Sequence, residues 1–245
     1  MNKGTLKQIL LLTDGHSNQG EDPVAIAALA SEQGITVNVI GIVDDNYLNA
    51  EGIEEIEAVA MAGGGVSQIV YAKQLAKTVQ MVTRKAMTQT IHGVVNKELQ
   101  QILGKNQEMK DLPPEKRGQV MEVVDELGET MDLDVLLLVD TSASMKNKLP
   151  LVQDALLDLS ISLTSRIGAN RFSLFTFPGK RKDIDKLLDW TPQLGSLSGI
   201  FQKLSSGGIT PTGPALQIAI QEFTKSGSRR SLIESEEQLL EESGM

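Results

Sequence analysis

Short, almost continuous runs of aliphatic residues constrain the fold of this chain more than any other feature. Residues 133–139 form one such run and residues 9–12 form another. Runs of this length predict strands buried on both faces, as in a parallel sheet covered by helices. Apolar residues recur at helical spacing in the segments 22–33, 51–62, 73–91 and 146–163. This alternation predicts a doubly wound α/β sheet with right-handed crossovers.

One predicted strand runs against the others. Residues 171–177 predict a strand rich in phenylalanine, and Pro178 and Gly179 begin a turn after it. Residues 186–190 then predict a returning strand. The predicted fold is therefore a mostly parallel α/β sheet with one antiparallel edge strand.

A segment without strand signals separates two regions of alternating strands and helices. In residues 92–132, helical stretches at 97–103 and 115–128 flank Leu112-Pro113-Pro114, which predicts a helical connector. From residue 226 onward, polar and charged residues predominate, which predicts a solvated tail. The predicted organisation is a sheet region at 5–91, the connector at 92–132, a second sheet region at 133–225 and the tail at 226–245.

Charge and composition exclude several classes of partner. The chain of 245 residues has a net charge of -9, so phosphate backbones and anionic lipids would repel it. Aromatic residues make up only 3%, which argues against base-stacking surfaces. There is no cysteine for a disulfide or a thiolate metal site, and the polar first residues predict neither a signal peptide nor a membrane span. We therefore expect a cytoplasmic protein that binds neither nucleic acid nor membranes.

Both aliphatic runs lead to an aspartate. Residues 9–13 are followed by Asp14, and residues 133–139 are followed by Asp140. In open α/β sheets, ligands bind at the carboxyl ends of the strands, and neighbouring strands lie about 4.8 Å apart. If these two strands are neighbours, Asp14 and Asp140 face one small space. Two carboxylates that close must take up a proton or share a cation.

Hydroxyl groups accompany the second aspartate. In the turn that follows the strand, residues at alternate positions face the same way, so Asp140, Ser142 and Ser144 point at one spot. A threonine of the loop at residues 207–213 would supply a further hydroxyl. An all-oxygen set of this kind suits Mg²⁺ or Mn²⁺ and does not suit zinc.

Three segments resemble the metal-ion-dependent adhesion site (MIDAS) of von Willebrand factor type A (VWA) domains: 140–144, 207–211 and 12–15. The family has them in that order, whereas here the last comes first. Residues 133–225 thus resemble the first half of a VWA domain, and residues 5–91 resemble its second half. The chain looks like a circularly permuted, Rossmann-like VWA domain, with the connector joining the usual ends. The connector is also long enough for the halves to pair between two chains in a swapped dimer.

As a whole, the chain is similar to uncharacterised cytosolic VWA proteins of spore-forming Gram-positive bacteria. The resemblance implies that Ser142 and Ser144 bind the ion directly, and that Asp140 and Asp14 act mainly through water. It also implies a protein-interaction module that binds an acidic side chain of a partner through Mg²⁺. AAA+ ATPases are common partners of cytosolic bacterial members of the family.

The loop ligand has two candidates. The resemblance assigns Thr210 as the switchable ligand, but the family usually has threonine directly after the two glycines. Here Ile209 stands between Gly208 and Thr210, so Thr212 is an alternative ligand.

Two other functions remain open. A phosphohydrolase of the haloacid-dehalogenase type would use Asp140 as nucleophile, but it requires an acid two residues later, where this chain has Ser142. A scaffold subunit without a working metal site is the second. The chain has no cysteine nucleophile and no Gly-x-Ser-x-Gly motif, and we expect His16 to be a solvated loop residue. We therefore predict that the protein is not an enzyme.

Overall fold

The structure is a computed structural model, and it describes residues 4–15, 17–43, 50–103, 109–180, 183–195, 197–202, 204 and 206–226. His16 and the predicted tail after residue 226 lie outside the described residues. Where helices and strands are described, they alternate along the chain as expected.

Six strands in the described ranges form one sheet: β1 (Thr5–Thr13), β2 (Ile35–Val43), β3 (Gly64–Tyr71), β4 (Asp132–Asp140), β5 (Asn170–Phe177) and β6 (Asp185–Thr191). Their order across the sheet is β3-β2-β1-β4-β5-β6. Neighbouring strands are parallel except β5 and β6, which are antiparallel. The predicted mostly parallel α/β sheet with an antiparallel edge is confirmed.

Helices cover both faces of this sheet. They are α1 (Pro23–Glu32), α2 (Ala50–Ala62), α3 (Leu75–Leu103), α4 (Pro114–Thr130), α5 (Leu149–Leu163), α6 (Leu197–Phe201) and α7 (212–226). Short 3₁₀ turns lie at Ala72–Gln74, Met109–Asp111 and Ala143–Met145. Among the helices described, none is both long enough and apolar enough to cross a bilayer.

Burial on both faces explains the aliphatic run of β4. Leu137 and Val139 pack with α3 and α5 in one core, whereas Leu136 and Leu138 pack with α1, α2 and α7 in the other. Each fully buried leucine contributes about 1.5–3 kcal/mol relative to an exposed one. The two layers therefore fix the position of the carboxyl end of β4.

The strand order reverses between β1 and β4. The chain winds outward from β1 through β2 to β3, returns along α3 and α4, and then winds outward through β5 and β6. In open α/β sheets, the crevice at such a reversal is where ligands bind. The fold thus directs attention to the carboxyl ends of β1 and β4.

Some predicted boundaries were wrong. We expected one helix to end near residue 91 and another to begin near 97, but α3 runs unbroken to Leu103. Val95 and Leu99 continue its packing against the core, and a single glycine such as Gly93 costs a helix only about 1 kcal/mol.

Two other predicted boundaries also differ from the structure, and both are at the start of an element. The sequence predicts a short strand at residues 68–71, but β3 begins at Gly64, because Gly65 lets its backbone approach β2 closely: a Cβ there would lie 2.1 Å from the Val37 carbonyl oxygen. α5 begins at Leu149 and not at residue 146, because a 3₁₀ turn precedes it. This last shift matters for the site.

Candidate functional site

Asp14 and Asp140 lie at the carboxyl ends of two neighbouring strands. β1 and β4 are hydrogen-bonded neighbours, with Leu12 opposite Val139 at the end of their register. Asp14 and Asp140 follow directly, on the same edge of the sheet. The expectation that these strands are neighbours is confirmed.

Asp140 is completely buried, with 0% of its surface exposed. Its Oδ1 accepts a hydrogen bond of 2.7 Å from the backbone N–H of Ser142, and its Oδ2 accepts one of 2.7 Å from Thr13 Oγ1. The first bond curls the chain back over the end of β4, and the second ties β4 to β1. Asp140 is therefore held in one orientation by strand β1 and by the turn that follows β4.

A line of oxygen atoms continues from Asp140 to Asp14. Ser142 Oγ and Ser144 Oγ are 3.1 Å apart, and Ser144 Oγ donates a hydrogen bond of 2.8 Å to Asp14 Oδ1. Ser142 is buried, whereas Ser144 is exposed. Four of the side chains predicted from the sequence are thus brought together, and the group is open to solvent on the Ser144 side.

Lys148 was not predicted as part of this group. Its Nζ donates a hydrogen bond of 2.6 Å to Asp14 Oδ2, and both side chains are almost inaccessible, at 7% exposure for the lysine and 2% for the aspartate. Lys148 is the N-cap residue of α5. The sequence signal was Pro150, because proline favours the first turn of a helix and so marks Lys148 as preceding it.

The threonine loop is fastened to both aspartate loops. The N–H of Gly207 donates to the carbonyl of Thr141 at 3.0 Å, beside Asp140. On the other side, Thr210 N–H donates to Asn18 Oδ1 at 2.8 Å, and the Thr210 carbonyl accepts from Asn18 N–H at 3.2 Å. Both predicted loop residues are buried, and the hydroxyl of Thr212 has no hydrogen-bond partner. The loop therefore lies on the same edge of the sheet as the aspartates.

Burial raises the pKa of Asp140. Desolvation of the carboxyl group moves the pKa from 3.8 to about 6; hydrogen bonds from Ser142 and Thr13 oppose the rise, and the negative charge of Asp14 adds to it. A carboxylate in this position is poorly stabilised unless further positive charge comes close.

We expect the cation-free protein to become less stable as the pH rises. Between pH 3.8 and about 6, the unfolded chain releases the Asp140 proton while the folded chain keeps it. The stabilisation is complete below the lower value and is lost as the pH rises through the upper one. A shift of this size corresponds to about 3 kcal/mol. Urea unfolding in EDTA across this range measures it, with Asp140→Asn as the variant that lacks the titrating group; equal pH slopes in both proteins would contradict the assignment.

The donor chemistry of the group suits a hard cation. Nowhere in the described ranges do three His, Cys, Asp or Glu side chains come together. A cation bound here would therefore rely on hydroxyl oxygens together with the two carboxylates. Such an all-oxygen set fits Mg²⁺ or Mn²⁺.

Comparison with known proteins relates the chain to one domain family. One model of the von Willebrand factor type A domain family matches residues 135–233, and a second matches residues 1–85. The chain is 63% identical to the uncharacterized protein YabS of Bacillus subtilis (strain 168), and the match covers 100% of both.

Solved structures also resemble this one. The crystal structure of an uncharacterized protein from Alicyclobacillus acidocaldarius subsp. acidocaldarius DSM 446 matches with a TM-score of 0.85 and 38% identity, and it covers 92% of this chain and 96% of that one. With family-model matches in both halves and a relative that is 63% identical over its whole length, the chain belongs to the von Willebrand factor type A domain family.

Proposed function

We propose that this chain is a metal-ion-dependent protein-interaction module that binds an acidic side chain of a partner through Mg²⁺ or Mn²⁺. The observation that carries the proposal is the line of oxygens at the ends of β1 and β4. In that line, the hydroxyls of Ser142 and Ser144 are 3.1 Å apart, and a carboxylate lies at each end. Hydroxyl and carboxylate oxygens are what these ions prefer.

Each residue has a distinct role in this proposal. Ser142 and Ser144 would bind the ion directly, and Asp140 and Asp14 would hold water molecules around it. Thr210 would be the loop ligand, because its backbone is fastened to Asn18 beside β1.

Thr212 stays the alternative loop ligand. Its hydroxyl is buried without a hydrogen-bond partner. A buried hydroxyl without a partner costs free energy that a ligand could recover.

The ion would supply an electrophilic position for the partner. Neutral hydroxyl ligands leave much of its positive charge uncompensated, so a carboxylate from outside completes the shell. An acidic chain would otherwise repel an acidic segment, because its net charge is -9. We propose an AAA+ ATPase as the first partner class to test and the cytoplasm as the location.

We also propose that the domain is circularly permuted. Separate family models match the two halves of the chain, and the segment between them contains α4 and the end of α3. In the structure, β1 and β4 pair within one chain. Light scattering in solution distinguishes closure within one chain from a swapped dimer.

Addition of Mg²⁺ or Mn²⁺ to the metal-free protein is expected to raise its thermal unfolding temperature. At a concentration a hundred times the Kd, binding stabilises the native state by about 2.7 kcal/mol, which is roughly 5–10 °C for a chain of this size. Differential scanning calorimetry after EDTA treatment makes the measurement, with Ca²⁺ and Zn²⁺ as comparison ions. An unchanged unfolding temperature with every ion, both alone and with saturating acetate as a carboxylate ligand, would overturn the proposal.

Capture of a partner tests the second part of the proposal, which is that the protein binds a partner through the ion. The tagged chain should retain a partner from a lysate in Mg²⁺ and release it in EDTA. Retention that is equal in both conditions would favour the scaffold function without a working metal site. One observation favours that alternative: the Lys148 ammonium already neutralises Asp14.

The phosphohydrolase alternative has less support. Both carboxyl oxygens of Asp140 accept hydrogen bonds, and the side chain is fully buried. A nucleophile must reach its substrate, and the residue two positions later is still Ser142. Turnover of an aryl phosphate by the wild type, lost in Asp140→Asn, would restore this function.

A further inference from the structure

The ion pair between Lys148 and Asp14 places a cation of the chain itself inside the proposed metal site. Nζ of Lys148 is 2.6 Å from Asp14 Oδ2, and Ser144 Oγ donates to the other oxygen at 2.8 Å. The two residues of the ion pair lie 134 positions apart in the sequence. The pair is therefore a product of the fold and not of local sequence.

The backbone of Lys148 is fixed on both sides. Its N–H donates to the Met145 carbonyl at 2.8 Å, and its carbonyl accepts from the N–H of Val152 at 3.0 Å. Only 7% of the Lys148 side chain is exposed to solvent, so few other positions are open to it. The ammonium group is thus a permanent feature of the site.

A buried positive charge beside Asp14 opposes the binding of a second cation. Repulsion between like charges is strong where water is excluded, and screening by salt is weak. The hydroxyl of Ser144 donates its proton to Asp14 and therefore accepts from Ser142 Oγ, so one lone pair of Ser144 Oγ remains available for an ion. The geometry is therefore suited to a cation, while the charge of Lys148 disfavours one.

We propose that Lys148 makes cation binding at this site conditional on an acidic ligand. This inference rests on the proposed function. With Lys148 present, the ion binds weakly alone, and a partner carboxylate supplies the missing negative charge. By reciprocity, the ion and the carboxylate each strengthen the binding of the other. Lys148 then sets how strongly the two binding events are coupled.

The test measures Mn²⁺ binding to the full chain by calorimetry, alone and with saturating acetate as the carboxylate probe. Lys148→Gln removes the charge and keeps a hydrogen-bond donor for Asp14. We expect it to bind Mn²⁺ alone about tenfold more tightly than wild type, and to gain less from acetate. Lys148→Met serves as a second neutral variant should the first fail to fold.

Two variants act as controls. Lys148→Arg keeps the positive charge, so it should not show the tighter Mn²⁺ binding that is expected of the neutral variants. Lys146→Gln removes the same charge two residues earlier, at an exposed position, and should change neither affinity. Without any metal, Lys148→Gln should unfold at a lower temperature than wild type, because the buried Asp14 carboxylate loses its counter-charge.

The outcomes separate this inference from the proposed function. If wild type binds Mn²⁺ and the neutral variants bind it equally or more weakly, Lys148 only positions Asp14 and the inference is wrong. If neither wild type nor any variant binds Mn²⁺, the proposed function is wrong and the inference with it. If only the neutral variants bind Mn²⁺, Lys148 blocks the site in the absence of an acidic ligand, and the inference is supported.

Discussion

Replacing Asp140 by asparagine is expected to abolish cation-dependent binding and yet make the cation-free protein more stable. Both effects follow from the burial of this carboxyl group, whose pKa is raised to about 6 mainly by desolvation. With the cation, the buried charge is compensated. Without the cation, it is a poorly solvated charge near neutral pH.

The asparagine side chain can keep the hydrogen bonds of Asp140. Its oxygen can accept from Ser142 N–H, and its amide can donate to Thr13 Oγ1, the two groups that now contact the carboxylate at 2.7 Å. The substitution therefore removes charge while preserving the local structure. The expected gain for the cation-free protein is about 1–3 kcal/mol near neutral pH.

A second aspartate on the same strand supplies the matched control. Asp134 is also buried in β4, but it accepts a hydrogen bond of 2.8 Å from Arg171 Nε. Asp134→Asn should lower stability by about 1–3 kcal/mol, because Arg171 loses its charged partner, and it should leave cation binding unchanged. Calorimetry with and without Mn²⁺ gives both quantities. A cation-induced rise in unfolding temperature that survives Asp140→Asn would show that the ion does not bind at this site.

The sequence was sufficient to place Asp14 and Asp140 at the carboxyl edge of the sheet. Two aliphatic runs define strands buried on both faces, and a carboxylate after each places both acids on the carboxyl edge. The sequence did not decide whether the two strands are neighbours. The pairing of β1 with β4 in the structure shows that they are. This part of the site follows from local patterns plus one rule of topology.

The contacts that complete the site are not local, and the sequence did not reveal them. Thr13 contacts Asp140 across 127 positions, and Asn18 contacts Thr210 across 192. Such pairs depend on strand register and loop path. Lys148 was missed because a lysine near the start of a helix usually lies in solvent. The predicted helix begins at residue 146, whereas α5 begins at Leu149, and this later start makes Lys148 the N-cap residue.

Close backbone contact between the start of α7 and the loop before α1 also supports the site. Gly213 lies in the first turn of α7, and a Cβ built on it would be 2.0 Å from the Glu21 carbonyl oxygen. Across the same contact, a Cβ on Gly20 would be 2.4 Å from Pro214 Cγ. The Gly213 clash involves backbone, so rotation of a side chain cannot relieve it.

Gly213→Ala is therefore expected to force α7 away from this loop. The cost in stability is about 3 kcal/mol, since overpacking against backbone cannot relax without moving the chain. The same movement displaces Thr212, which immediately precedes Gly213, and Thr210, which lies in the same loop. We expect Mn²⁺ affinity to fall at least about tenfold, because ligand sites tolerate displacements of only about 0.5 Å.

Gly93→Ala is the control, and its expected effect on stability has the opposite sign. Gly93 lies inside α3, and apart from its chain neighbours and the backbone of its own helix, no heavy atom lies within 4 Å of a Cβ built there. Alanine in an open helix interior should stabilise the protein by about 0.5–1 kcal/mol and leave the site unchanged. Urea unfolding compares the two variants, and a Mn²⁺ titration follows each. A Gly213→Ala protein as stable as wild type would show that α7 and the loop before α1 are not in contact. In that case this contact would not be what holds Thr210 and Thr212 beside the aspartates.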